Sequence, residues 1–122
     1  MLINIKKLIK SFKVAFSGLG FAIKNENTIK AGTIIAVGVV FFTFYFPLSN
    51  PERAIIFLTL FTVLGMELMN MQVERTTNLI DRNHNPEIKI IKDLAAGAVL
   101  LIVIVAAIVA GFIFIPYVFG LK

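Results

Sequence analysis

Between Asp93 and Lys122 the chain carries no charged side chain; the stretch reads LAAGAVLLIVIVAAIVAGFIFIPYVFGL. A run of this kind constrains the fold more than any other feature of the sequence. A bilayer is crossed by about 17–25 mostly apolar residues, wound as a helix so that every backbone group is paired where water is missing. Residues 94–119 satisfy this with length left over for tilt. Two further segments read the same way. Residues 31–48, AGTIIAVGVVFFTFYFPL, carry no charge and form a first span. Residues 54–73 form a second, whose helical pattern continues to about Ile80. The Ser-Asn-Pro-Glu-Arg segment between them, 49–53, is a turn. Residues 81–93, DRNHNPEIKIIKD, are expected to form a polar loop.

Composition agrees with three spans. The sequence is 58% hydrophobic, against about 45–50% in a soluble domain. Its length, 122 residues, allows a single domain. Cysteine is absent, which excludes disulfides and thiolate metal sites. Twelve basic residues face seven acidic ones. In a soluble protein that excess would suggest nucleic acid. Here the lysines crowd the N-terminal segment, so the membrane surface is the expected partner and nucleic acid is not. No cleavable signal pattern is expected in residues 1–30.

Those first residues have their own periodicity. Ile5, Leu8, Ile9, Phe12, Phe16, Leu19 and Ile23 recur at steps of three and four, while Lys6, Lys10 and Lys13 share another face. An amphipathic helix lying in the membrane interface is expected over 1–30. The fold class expected is therefore all-α integral membrane: one interfacial helix and three spans. Lysine and arginine counts give its orientation. Lys6, Lys7, Lys10, Lys13, Lys24 and Lys30 precede the first span, and Arg75, Arg82, Lys89 and Lys92 lie between the second and third. Only Arg53 lies between the first and second, and Lys122 alone follows the third. The N-terminus and the 75–93 region should be cytoplasmic, and the C-terminus outside.

Against this apolar background, Glu67, Asn70 and Glu74 stand out. Their spacing, i, i+3 and i+7, puts them on one helix face rising toward the cytoplasmic end of the second span. A carboxylate at bilayer depth is costly, and is usually turned inward and functional. Interhelical hydrogen bonding is the structural alternative, worth about 0.6 kcal/mol per residue. Lys92 and Asp93 fall at the same membrane level at the start of the third span, and so does Glu26 ahead of the first. Taken singly, Asp93 is a helix cap and Lys92 a headgroup anchor. Together, acidic oxygens and a lysine suit magnesium carrying a polyphosphate. A carboxylate in dry surroundings suits removal of a proton from an alcohol. Neither GxxxxGK nor GxGxxG occurs, so soluble kinase architectures are excluded.

The segments SFKVAFSGLGFAIKNE, GMELMNMQVE and KIIKDLAAGAVLL, in this order and spacing, resemble the prokaryotic diacylglycerol kinase family, which includes undecaprenol kinases. The resemblance covers nearly the whole chain. The family's central motif is Glu-x-x-Asn-(Ser/Thr)-x-x-Glu with an aspartate four residues on. Glu67, Asn70 and Glu74 match it; Met71, Gln72 and Asn78 depart from it. The resemblance implies ATP- and magnesium-dependent phosphorylation of a lipid alcohol, diacylglycerol or undecaprenol, at the cytoplasmic face of a bacterial inner membrane. It implies Glu67 as catalytic base and Glu26 and Glu74 as magnesium ligands. It implies nucleotide contacts from Asn70, Lys92 and Asp93, with Lys7, His84 and Asn85 beside them. It also implies a homotrimer with sites between subunits. A small pore-forming protein of the holin type is the alternative. It gives no reason for Glu26, Glu67, Glu74 and Asp93 to share a level.

Overall fold

The computed structural model describes residues 2–83 and 85–122, and these form four helices: α1 (Ile5–Asn25), α2 (Asn27–Tyr45), α3 (Asn50–Ile80) and α4 (Pro86–Val118). Three of them, α2, α3 and α4, are long and apolar enough to cross a membrane.

Each boundary has a local cause. The Asn4 side chain accepts from the Lys7 backbone N–H at 3.1 Å and starts α1. Glu26 is the only residue between α1 and α2. Its extended backbone (φ −112°, ψ 117°) ends one helix and begins the next. Its N–H donates to the Ala22 carbonyl and its own carbonyl accepts from Lys30, both at 3.0 Å. Pro47 forces Phe46 into the extended region and stops α2. At the start of α3, Ser49 Oγ accepts from the Glu52 N–H at 3.3 Å while Glu52 Oε1 accepts from the Ser49 N–H at 2.9 Å. This is a complete capping box, with Pro51 in the first turn.

The polar segment after α3 is shorter than its composition suggests. A loop over 81–93 was expected, but α4 already begins at Pro86, so Lys89, Lys92 and Asp93 are helical. The physical reason is the Asn85-Pro86-Glu87 sequence. Asn85 accepts from the Glu87 N–H at 2.9 Å, Pro86 supplies a preset φ, and Glu87 favours the positive helix end. Charge in this segment marks an exposed helix face. At the far end of α4 Gly120 adopts φ +68°, a left-handed turn suited to glycine, and Leu121 N–H returns to the Pro116 carbonyl at 2.7 Å.

The 19 residues of α2 span about 28 Å at 1.5 Å per residue, close to one hydrocarbon layer of about 30 Å. The 31 residues of α3 span about 46 Å, and α4 is longer still. α3 and α4 pack along each other most extensively; α2 lies on α3, and α1 on α2. α2 and α3 approach closely at Gly32, where an added Cβ would lie 3.0 Å from Leu64 Cδ2. A hydrophobic cluster of buried residues, Leu48, Ile56 and Ile113, sits where the α2–α3 turn meets the C-terminal end of α4. Much of the remaining apolar surface, including Ile34, Leu58 and Phe112, is exposed. In a chain with spans this is surface for lipid tails or neighbouring helices.

Candidate active site

The opposite end of the bundle gathers the polar residues. It is built from the α1–α2 junction, the last turns of α3 and the first turns of α4. Glu67 is half-buried and forms part of the wall of a cavity of about 410 Å³ between α2, α3 and α4. Its neighbours there are apolar or small, among them Ala31, Gly32, Val63, Leu64 and Ala106; Thr28 and Thr59 add hydroxyls. A second apolar cavity, of about 540 Å³, lies on the other side of the α2–α3 crossing, with Leu19, Ala36, Phe61 and Leu64 in its walls. Leu64 faces both.

One turn beyond Glu67, Asn70 Oδ1 is buried and has no hydrogen-bond partner. An unpaired buried acceptor costs about 1–3 kcal/mol, so it suits a donor or cation supplied from outside the chain. Glu74, a further turn on, is exposed. Beside it Thr77 is buried, with its hydroxyl directed to the Val73 and Glu74 carbonyls at 2.9 and 3.0 Å.

Glu26 reaches this region through Arg75. The guanidinium donates through Nη1 to Glu26 Oε1 at 3.0 Å, and its Cζ lies 5.0 Å from the centroid of the Phe21 ring. From α4, Lys92 Nζ donates to the Asn78 side-chain oxygen at 2.7 Å. Asp93, one residue on, points elsewhere: it accepts from Lys89 Nζ at 2.6 Å on the exposed surface. Asn85, and not Asp93, is the cap of α4; Asp93 lies two turns inside the helix.

The structure thus lines up Glu67, Asn70 and Glu74 on one helix and sets Glu26 and Lys92 against that same helix through Arg75 and Asn78. It does not bring Lys7 to them. Lys7 lies near the start of α1, about 28 Å along that helix from Glu26. His84 lies outside the described residues. Two residues that bind site members, Arg75 and Asn78, do not emerge from the sequence as site residues. Arg75 is 49 positions from its partner, and no helical spacing links residues so far apart.

Among the described residues no three histidine or acidic side chains converge to form a metal cage. A hard dication of the kind bound by one or two carboxylates plus water and phosphate oxygens needs no such cage. Glu26 already attracts a cation, the guanidinium of Arg75, and Asn70 leaves an amide oxygen free nearby on the same helix as Glu74.

Comparison with known proteins supplies the family. Residues 13–114 match the model of the prokaryotic diacylglycerol kinases. The chain is 33% identical over 113 residues to an undecaprenol kinase of Bacillus subtilis (strain 168), covering 93% of this chain and 92% of that protein. It is also 33% identical over 110 residues to a diacylglycerol kinase of Synechocystis sp. (strain ATCC 27184 / PCC 6803 / Kazusa), covering 89% of this chain and 63% of the longer relative. An all-helical chain with three potential membrane spans, carrying a stripe of carboxylates and an amide at one end of the bundle, therefore belongs to the prokaryotic diacylglycerol kinase family.

Proposed function

We propose that this protein transfers the γ-phosphoryl group of ATP to the hydroxyl of a membrane lipid alcohol. The observation that carries this reading is the position of Glu67: a carboxylate in the wall of an apolar cavity, on the same helix face as Asn70 and Glu74. Such a cavity admits a lipid tail, and its single carboxylate meets the only polar end such a molecule has. Glu67 takes the hydroxyl proton, the lipid oxygen attacks the γ-phosphorus, and the bond to the β-phosphate oxygen breaks to release ADP. Glu74 lies about 10 Å farther along α3, seven residues at 1.5 Å each, so the phosphates enter from the polar end while the lipid enters from the apolar one.

Glu26 and Glu74 are the proposed magnesium ligands, and magnesium, when bound, neutralises charge on the phosphate oxygens. Lys92, steadied by Asn78, offers its ammonium to the same phosphates. Asn70 orients a reacting group through its free oxygen. Asp93 and Asn85 contribute at most from the rim. The polar end is proposed to be cytoplasmic, from the distribution of lysine and arginine, with α1 lying along the membrane surface. Three spans enclose little space, and Glu67 opens to the outside of a single chain. This supports a homotrimer with sites completed between subunits. The holin-like alternative has no support from the family match.

The names of the relatives point to diacylglycerol and undecaprenol as acceptors. Transfer of label from radioactive ATP, in mixed micelles offering both lipids in competition, tests the reading and chooses between them. No labelled lipid from either acceptor would reject it.

A further inference from the structure

Arg75 has no role in the reaction as described, yet it is bonded to Glu26, a proposed metal ligand. It ties the α1–α2 junction to α3 through Glu26 and Phe21. It also forms part of the wall of two further cavities. One, of about 580 Å³, lies between α1 and α3 beside Ser17, Gly18, Met71 and Gln72. The other, of about 280 Å³, is polar and is bounded by Arg75, Asn78, Leu79 and Arg82. Lys92 reaches the rim of the latter through its bond to Asn78. Two arginines therefore line one small polar space, and a lysine is bonded to the asparagine in its wall. Among the described residues, Glu26 is the one carboxylate bonded to any of the three.

The bond to Glu26 is easily given up. Arg75 is 54% exposed and Glu26 30%, and ion pairs this accessible contribute little stability. A guanidinium has five N–H donors, and Glu26 engages one nitrogen of the fork. The planar fork matches phosphate oxygens better than an ammonium does. A dication arriving at Glu26 would displace the guanidinium from the carboxylate and repel it. The phosphates that come with the dication would attract it.

We propose that Arg75 is a placeholder cation. With the site empty it neutralises Glu26; when magnesium-ATP claims that carboxylate, the guanidinium turns to the polyphosphate in the pocket it shares with Asn78 and Arg82. This rests on the phosphotransfer reading and adds a phosphate-binding residue to it. The exchange predicts opposite effects on metal alone and on metal with nucleotide, which simple damage to the fold does not.

The test uses the full chain in detergent micelles. Binding of manganese alone is followed by electron paramagnetic resonance, binding of a non-hydrolysable ATP analogue by calorimetry, and lipid phosphorylation by label transfer. Arg75→Gln should bind manganese about threefold more tightly without nucleotide, because a weak exposed competitor is gone. The same change should weaken analogue binding and raise the KM for ATP about tenfold, the loss expected for a charge-assisted contact, with kcat much less affected. Arg75→Lys keeps the charge without the fork and should fall between; it serves if the glutamine variant does not fold. Manganese and nucleotide affinities that fall together, or that both stay unchanged, would overturn the exchange. Absence of phosphoryl transfer by the wild-type protein would overturn the kinase reading alone if the opposite shifts in binding were still seen.

Discussion

The two ends of the bundle solve the same problem in opposite ways. At the α2–α3 turn, the polar groups of the chain are paired with one another. Tyr117 Oη donates to Glu52 Oε1 at 2.6 Å, Lys122 approaches Glu52 Oε2 at 3.4 Å, and Arg53 Nε donates to the Thr43 carbonyl at 3.2 Å. These bonds surround the buried Leu48, Ile56 and Ile113. At the α3–α4 end, Asn70 has a buried oxygen without a partner, Glu74 is exposed, and Glu26 holds a half-exposed arginine. One end is closed by its own side chains. The other keeps polar groups available at a cost in stability, as expected where ligands complete the bonding.

The largest expected effect that sharpens this contrast is at Glu67. Glu67→Gln keeps the shape and removes the base, so turnover should fall about a hundredfold or more while ATP affinity and melting temperature hold. Near-normal turnover at saturating ATP and lipid would return Glu67 to a structural role and erase the distinction between the ends. Glu74→Ala and Glu26→Ala should each raise the magnesium concentration needed for half-maximal activity, by about tenfold for a lost charge-assisted contact. An unchanged magnesium profile in both would remove them from the metal site.

Asn70→Leu probes the cost directly. It deletes the unpaired oxygen, so denaturation in micelles should show stability held or raised by about 1 kcal/mol, while activity falls. A loss of stability would mean that Asn70 already has a partner. Tyr117→Phe should do the reverse, lowering the melting temperature by a few degrees and leaving turnover intact. A fall in turnover without a thermal shift would tie the closed end to catalysis. The smallest effect is expected for Asn78→Asp, which keeps the 2.7 Å contact to Lys92 as an ion pair and should leave activity unchanged or slightly higher. A severe loss would show that the site depends on a neutral amide there.

Several of these features were legible in the sequence because their causes are local. Uncharged runs define the spans, and the i, i+3, i+7 spacing puts Glu67, Asn70 and Glu74 on one face. The turn expected at 49–53 lies earlier, at 46–49, because Ser49 caps α3 and residues 50–53 are already helical. The start of α4 lies earlier than charge alone indicates: the Asn85-Pro86 cap makes Lys89, Lys92 and Asp93 helical. The contacts of Arg75 with Glu26 and of Lys92 with Asn78 depend on how helices meet in space. No periodicity within one helix encodes them.

The crossing of α2 over α3 leaves Leu64 as a shared partition. The side chain that fills the space above Gly32 is also a wall of the cavity holding Glu67 and of its larger apolar neighbour. The two compartments are therefore not independent in size. Trimming Leu64 would enlarge both, whereas a side chain at position 32 would push the leucine aside and reshape both. One leucine side chain thus helps set the size of both cavities.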